Sequence, residues 1–473
     1  MKRRIMYVLL STIVSTSIFT ELQASDPQIF VYRNDTIFNS AHLGTGASVK
    51  YSVDDMTMLF KDEKGGITTI PMSSVDSCVF RMTDIPTMHF VLPDYPDVKD
   101  IWSKEDYVDA LLKIEGNGYC EDSDSLKLSL RGRGNSTWGM AKKPMRMKLP
   151  KKKSLFGLEK QKNYVLLANY IDNSLMENVI AFWIARRIGV PYANHTVPVN
   201  VEINGYPRGS YIITEKVGIN SGSVDIDETK GILFELSQEY DEPYKFRSKL
   251  WDLPVMVKDP DFEELAEENP EGPTPEKMLH IWENDFNDAL TLLNTGRGAE
   301  AFDMDSFAKG YLLYYLCRNN ELGHPKSMYI HKEQIGTESL YKFGPAWDFD
   351  SAFDRLMPDN DGTFVPATPN VDIVINKMLQ AMRDIPEFRT AYKTSLQKFV
   401  DEDLEDLIAF IKEYAELIEP SSKQDACVWP ESYDGEWYYR NPASDVKKRA
   451  DELCQWMRDH VAFMVERANS GQY

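Results

Sequence analysis

The chain has 473 residues, 42% of them hydrophobic and 12% aromatic, and a formal net charge of −21. Such a length and composition suit an ordered protein of two or three domains and exclude a disordered one. The negative charge argues against non-specific nucleic-acid binding, which needs basic surface to displace counterions. Five cysteines (Cys78, Cys120, Cys317, Cys427, Cys454) with no CxxC pair argue against a zinc site.

Residues 1–24 read as a secretory signal: Lys2, Arg3 and Arg4, then a mostly apolar run from Ile5 to Phe19, then Leu22-Gln-Ala24. That run is too short and too rich in Ser and Thr for an anchor, and no later segment is apolar enough to span a bilayer. The expectation is an exported chain without a membrane span, periplasmic, at the cell surface or secreted. Residues 26–82 read as a small β module. Ile29–Tyr32, Ser48–Tyr51, Met58–Phe60, Ile67–Ile70 and Val75–Phe80 are strand-like, with turns at Asn34-Asp35 and Gly65-Gly66. Asp54-Asp55 reads as a solvated turn.

A larger domain begins near Pro86, with a strand at Phe90-Val-Leu92 and a short helix or strand over Tyr107 to Ile114. Leu126, Leu128 and Leu130 alternate with Lys127 and Ser129. Met145, Met147 and Leu149 alternate with Arg146 and Lys148. Between them lies Arg131-Gly-Arg-Gly-Asn-Ser-Thr-Trp138, so the stretch predicts a hairpin with a glycine tip and Pro144 at a strand start. Such a tip beside cations suits a phosphate; it suits equally a structural turn whose arginines tie down loops. The basic run Lys142, Lys143, Arg146, Lys148 and Lys151–Lys153 has the same two readings, solvated face or anion site.

Residues 172–188 predict a helix ended by Gly189 and Pro191. Val197–Ile203, Asn204-Gly205 and Gly209–Thr214 predict a second hairpin, and Ile232–Leu236 a further strand. Together these make a mixed sheet with one packed helix. Residues 259–276, acidic and with four prolines, read as an exposed insertion. Core helices follow over Phe286–Leu293 and Phe307–Cys317. Leu404, Leu407, Ile408, Ile411, Tyr414, Ala415 and Ile418 form an amphipathic stripe. An aromatic loop around Trp429-Pro430 and Trp437 leads to a last helix over Val446–Ala468. In Gly344-Pro-Ala-Trp-Asp-Phe-Asp350, an extended backbone puts Asp348 and Asp350 on one face. Paired carboxylates suit Mg²⁺, which takes oxygen ligands and keeps waters and phosphates in its shell. Two caps or salt-bridged acids are the alternative.

RGNSTW followed by KKPMRMKL resembles the signature of the CotH family, named for a spore-coat protein H. The likeness continues through Lys162–Asn169, Asp172–Asn178, Asn204-Gly205, Gly209-Ser-Tyr211, Glu215 and Gly344–Asp350, and it covers roughly residues 85–460. The resemblance implies an α+β, two-lobed atypical protein-kinase-like fold. Its N-lobe would hold a mixed or antiparallel sheet over residues 85–236, its C-lobe residues 237–375, and a helical part residues 376–470. It also implies ATP and Mg²⁺ as cofactors, since WDxD stands in the place of the kinase metal-binding DFG. On that reading Asp348 and Asp350 hold the metal, Lys148 the nucleotide phosphates and Arg146 a second cation. Arg133 and Asn135 of the tip join them, and Glu215 holds the lysine better than Glu177, where the family has a basic residue.

Phosphoryl transfer needs positioned groups and charge neutralisation more than covalent chemistry. The catalytic loop departs from the family: Glu321 stands where an Asp is expected, and Lys326-Ser327 where an Asn is expected. His324 is an alternative proton acceptor or a plain loop residue. The implied activity is an ATP- and Mg²⁺-dependent phosphotransferase acting on Ser/Thr hydroxyls of an exported protein, with Glu321 at the acceptor hydroxyl. The altered loop, and the scarcity of ATP outside the cytoplasm, give a second reading: a catalytically silent CotH domain serving surface assembly. Carbohydrate chemistry is a third, carried only by C-terminal aromatics and paired acids.

Overall fold

The computed structural model describes residues 28–33, 36–42, 48–52, 56–61, 66–74, 77–81, 85–117, 119–120, 122–172, 174–323, 325–353, 373–430, 432–433, 439–440 and 445–471. The expected signal segment, Asn34-Asp35, Asp54-Asp55, His324 and Trp437 lie outside them. Two compact units appear, Met1–Thr87 with Ile114–Ser123, and Met88–Lys113 with Asp124–Tyr473.

In the first unit, β1 (Gln28–Arg33) pairs antiparallel with β2 (Thr36–His42) and with β6 (Ser77–Arg81). A separate antiparallel sheet joins β3 (Ser48–Ser52), β4 (Thr57–Lys61) and β5 (Ile67–Pro71). The sequence pattern had no strand at β2, whose polar TIFNSAH lacks a clear alternation.

The second unit opens with β7 (Thr87–Val91), β8 (Val108–Glu115) and β9 (Ser123–Gly132). A single turn, α1 (Ser136–Gly139), leads to β10 (Met145–Lys153) and β11 (Gln161–Leu167). After α2 (Glu177–Ile188) come β12 (Thr196–Ile203) and β13 (Tyr206–Glu215). The seven strands close into a barrel in the order β10-β11-β13-β12-β7-β8-β9. The expected mixed sheet is thus a barrel, and strand-period alternation along one strand cannot distinguish an open sheet from a closed one. Both predicted hairpins form. β9 pairs with β10 as Arg131↔Arg146 and Leu130↔Met147. The β12–β13 turn has Asn204 at φ 50 and Gly205 at φ 77, the positive pair that a two-residue turn demands. Gly132 is fixed by packing: a Cβ there would lie 2.0 Å from the Trp138 ring.

The predicted helix over 172–188 begins only at Glu177. Asp172 Oδ1 accepts from the backbone of Ser174 and Leu175, and its Oδ2 from that of Glu177, so these residues form a capped turn instead. Gly189 ends the helix in the left-handed region, as expected.

β14 (Ile232–Leu236), β15 (Lys245–Arg247) and β16 (Pro254–Asp259) belong to another sheet. They are followed by α3 (Phe262–Glu268), α4 (Pro275–Asn294) and α5 (Met304–Leu316), then β17 (Met328–Lys332) and β18 (Lys342–Phe343). The order is β15-β16-β14-β17-β18. Ile232–Leu236, expected in the same sheet as the hairpins, is therefore central here, and all five of its residues are buried. The segment 259–276 is largely exposed as expected, but Phe262 on α3 is buried. Helices α6 (Lys377–Met382), α7 (Pro386–Lys398) and α8 (Leu404–Val428) follow, then short strands β19 (Ser432–Tyr433) and β20 (Tyr439–Arg440), and α9 (Val446–Asn469). Helix α5 packs on α2 and α7, and α8 on α9 and β13. The architecture is a mixed α+β one. Among the described residues no helix is long and apolar enough to cross a membrane.

Two buried histidines are expected to make the fold acid-sensitive. His331 Nδ1 bonds Gly344 O at 2.9 Å, and His460 Nε2 bonds Tyr315 O at 2.7 Å. The other ring nitrogen of each is buried without a hydrogen-bond partner among the described residues. Burial therefore pushes both down to about 4 from 6.5. Protons bind the unfolded chain first, so stability is full above pH ~6.5 and falls as the pH drops towards 4, by up to about 3 kcal/mol for each ring. Urea unfolding from pH 7 to 4.5 is expected to show this slope, and His331→Gln/His460→Gln to flatten it.

Candidate functional site

The strand alternation that buries Met145, Met147 and Leu149 turns Arg146 and Lys148 out of the barrel. Arg131, paired with Arg146 in register, lies beside it. The guanidinium carbons of Arg131 and Arg146 stand 5.0 and 5.9 Å from the Tyr107 ring centroid, and Lys148 Nζ 5.9 Å. Arg131 Nη1 donates to Lys104 O at 2.7 Å, and Arg146 Nη2 to Asn163 Oδ1 at 3.2 Å. Asn163 continues the row to Lys216, whose backbone N–H donates to Asn163 O at 3.3 Å. Gly218 separates Lys216 from Asp259: a Cβ there would lie 3.5 Å from Lys216 Nζ and 2.5 Å from Asp259 Oδ2.

This row holds more positive charge than it satisfies. Arg131 Nε, Arg146 Nε and the Tyr107 hydroxyl are buried with no hydrogen-bond partner among the described residues. Burial lowers Arg146, and Arg131 and Arg133 push the same way against Tyr107 and Asp259. Burial also lowers Lys216 to about 8; Asp259 opposes the shift, while Arg146 and Lys258 add to it. Lys258 is itself neutralised by Glu235 at 2.9 Å and Glu242 at 2.8 Å. Several cations crowding unpartnered donors is what an anion relieves.

The acids gather where Arg133 reaches. Its guanidinium lies 5.5 Å from the Trp347 ring centroid, one residue before Asp348. Asp348 has φ +67, and Ser327 Oγ donates to its Oδ2 at 3.2 Å. Asn319 Nδ2 donates to Asp348 O at 3.0 Å, and Asn178 Oδ1 accepts from Phe349 N at 2.9 Å. Burial, the hydrogen-bonded Asp348 and nearby Asp172 raise Asp350 well above the usual carboxylate range. Glu321 sits on a short turn whose Glu321 N–H donates to Asn319 Oδ1 at 2.9 Å. Burial first, then Asp348, pushes its carboxyl up to about 10, with Lys326 opposing. Glu321 Oε2 is buried without a hydrogen-bond partner among the described residues.

A family model described as CotH kinase protein matches residues 130–464. The chain belongs to the CotH family. No curated protein matches it. In this CotH chain Glu321, Asp348 and Asp350 come together, Arg146 lies with Arg131 and Arg133, and three other expected residues join neither group. Lys148 is exposed at the margin of the cation row and ion-pairs with no acid among the described residues. Asn135 is exposed at the tip, and its side chain does not cap α1. Glu215 holds no lysine among the described residues: its carboxylate accepts from His195 N at 2.9 Å and meets His195 Nδ1 at 3.1 Å. Glu177, buried at the start of α2, lies near Cys317.

Lys142, expected on a solvated face or anion site, is fully buried. It pairs with Asp425 of α8 at 2.6 Å and donates to Ser210 O. The missed residues are Tyr107, Arg131 and Lys216. Arg131 stood in the glycine motif, but nothing local marks Lys216; only the register Tyr164↔Glu215 carries it beside Asn163.

The residues present fit a nucleotide and a divalent ion in one respect each. Orphaned donors suit phosphate, and apposed carboxylates that raise Asp350 suit a cation. Among the described residues no group of three or more His, Cys, Asp or Glu could hold a metal alone. Mg²⁺ does not demand one, since one or two carboxylates plus phosphates and waters complete its shell.

Proposed function

We propose that this chain is an exported, ATP- and Mg²⁺-dependent phosphotransferase acting on Ser/Thr hydroxyls of a polypeptide partner. The barrel and the five-stranded sheet with its helices stand as the two lobes of an atypical kinase. The observation that supports this most is Arg133 over the ring of Trp347, the residue before Asp348. Asp348 and Asp350 would hold the ion, which supplies charge neutralisation on the transferred group. Arg133, Arg146, Arg131 and Lys216 bind and orient phosphate oxygens, with Lys216 in the place first expected of Lys148. Glu321, whose carboxyl stays protonated near neutral pH in the absence of a cation, orients the acceptor hydroxyl.

A test follows from Lys216. Replacing it with Met is expected to weaken ATP binding about 10- to 100-fold, the range of a charge-assisted hydrogen bond. Because Lys216 loses its proton near pH 8, wild-type affinity is expected to fall as the pH rises above 8. Calorimetry on Lys216→Arg should lose that fall. Equal affinity for ATP in wild type and Lys216→Met would remove Lys216 from the site.

A catalytically silent scaffold is the second reading. Lys326, standing where the family has an amide, is directed to Glu239 at 3.5 Å. ATP binding without transfer to any acceptor would favour it.

A further inference from the structure

The basic run from Lys148 to Lys162 is not used by the candidate site. It holds six lysines, Lys148, Lys151, Lys152, Lys153, Lys160 and Lys162, against one acid, Glu159, in a chain of net charge −21. All six are exposed, and none forms an ion pair among the described residues. They stand on the two arms of one hairpin, in which β10 and β11 pair as Lys148↔Asn163 and Lys153↔Gln161. The hairpin is closed from within. The Tyr164 hydroxyl lies 2.6 Å from Lys153 O and 2.7 Å from Glu159 O, Ser154 Oγ donates to Leu158 O at 2.7 Å, and Leu155 and Leu158 are buried. With the backbone held, the like charges cannot spread apart by moving it, and an anionic partner relieves their repulsion.

The tip of the hairpin points to the kind of partner. Leu158 N donates to Leu155 O at 2.9 Å across Phe156 and Gly157, which have φ +54 and +80. A turn with both central residues at positive φ favours Asn-Gly, as at Asn204-Gly205, and disfavours a bulky side chain. Here Phe156 takes the place of the Asn and stands half-exposed between the lysine arms. Lysines around an aromatic tip match an anionic bilayer, which takes cations at its headgroups and an apolar ring at its interface. A soluble polyanion would use the lysines and leave Phe156 without a role. Charges elsewhere on this acidic chain are screened beyond about 8–10 Å at physiological salt, so they do not prevent a local contact. We infer that the hairpin from Lys151 to Lys162 docks the chain on an anionic phospholipid surface, with Phe156 at the headgroup boundary. Docking of this kind needs neither a nucleotide nor the phosphotransfer reading.

The test is flotation of the chain from Ser25, which omits the apolar run of residues 1–24, with vesicles of phosphatidylcholine alone or mixed with an equal part of phosphatidylglycerol. Binding to the anionic vesicles alone is expected, falling as salt is raised. Lys151→Gln/Lys152→Gln/Lys153→Gln is expected to weaken it at least about tenfold, and Lys160→Gln/Lys162→Gln on the opposite arm to weaken it as well. Phe156→Asn suits the positive φ, so it is expected to leave the urea midpoint the same or higher while weakening vesicle binding measurably. No binding to anionic vesicles, equal binding to both vesicle types, or undiminished binding in both lysine variants would overturn the proposal. So would wild-type vesicle binding by Phe156→Asn together with displacement of the vesicles by soluble polyglutamate, which would mark an acidic polypeptide as the partner.

Discussion

Asp425→Ala is expected to destabilise the second unit by about 3–5 kcal/mol, the usual cost of stranding one partner of a buried ion pair. Lys142 and Asp425 have no side-chain exposure at all and meet at 2.6 Å. Asp425 Oδ1 also accepts from Ser210 N at 2.9 Å, and a Cβ at Gly209 would lie 2.1 Å from that oxygen. One carboxylate thus ties helix α8 to strand β13 and to the segment leading into β10. Its removal takes the carboxylate from the Lys142 ammonium, which keeps Ser210 O, and takes the acceptor from the Ser210 N–H. Urea unfolding should show the loss, and Lys142→Met/Asp425→Ala should cost clearly less than the two single losses added, since each single variant leaves the other charge buried. A cost below about 1 kcal/mol for Asp425→Ala would mean that the pair contributes little beyond its own desolvation.

Asp348→Ala is expected to lower phosphotransfer at least about 1,000-fold, on the scale of losing a preorganised charge contact in the transition state. Its effect on stability should have the opposite sign from that of Asp425→Ala. Asp348 lies beside Asp350 and raises both Asp350 and Glu321. Removing it relieves like-charge repulsion, so the metal-free chain should unfold at the same or a higher urea concentration. Function bought with local repulsion is the ordinary pattern at sites built for a charged ligand. A variant both inactive and strongly destabilised would instead make Asp348 a structural residue.

Much of this was legible along the chain. Leu126–Leu130 against Met145–Leu149 gave the hairpin because a half-buried strand alternates, and Asn204-Gly205 gave the turn because both residues tolerate positive φ. Helices α4, α5, α8 and α9 followed from apolar spacing. What was not legible depends on contacts distant in sequence. Closure of the barrel needs β11 to find β13, and β7 to find β12. Ile232–Leu236 carries the same apolar signal whichever sheet it joins. The acids of the candidate site stood out because Asp348 and Asp350 are two residues apart. Its cations were harder to find: Lys142 and Lys148 share one basic run, yet one is buried on Asp425 and the other points to solvent. Lys216 becomes a candidate only once β11 and β13 are paired.

The most direct test is calorimetric titration of the purified chain with ATP, with and without Mg²⁺, in wild type and Asp348→Ala. Saturable binding that Mg²⁺ strengthens is expected in wild type, and no response to Mg²⁺ in Asp348→Ala. No binding of wild type at roughly millimolar ATP, weaker than about −4 kcal/mol, would contradict the nucleotide site and leave a CotH fold used for assembly.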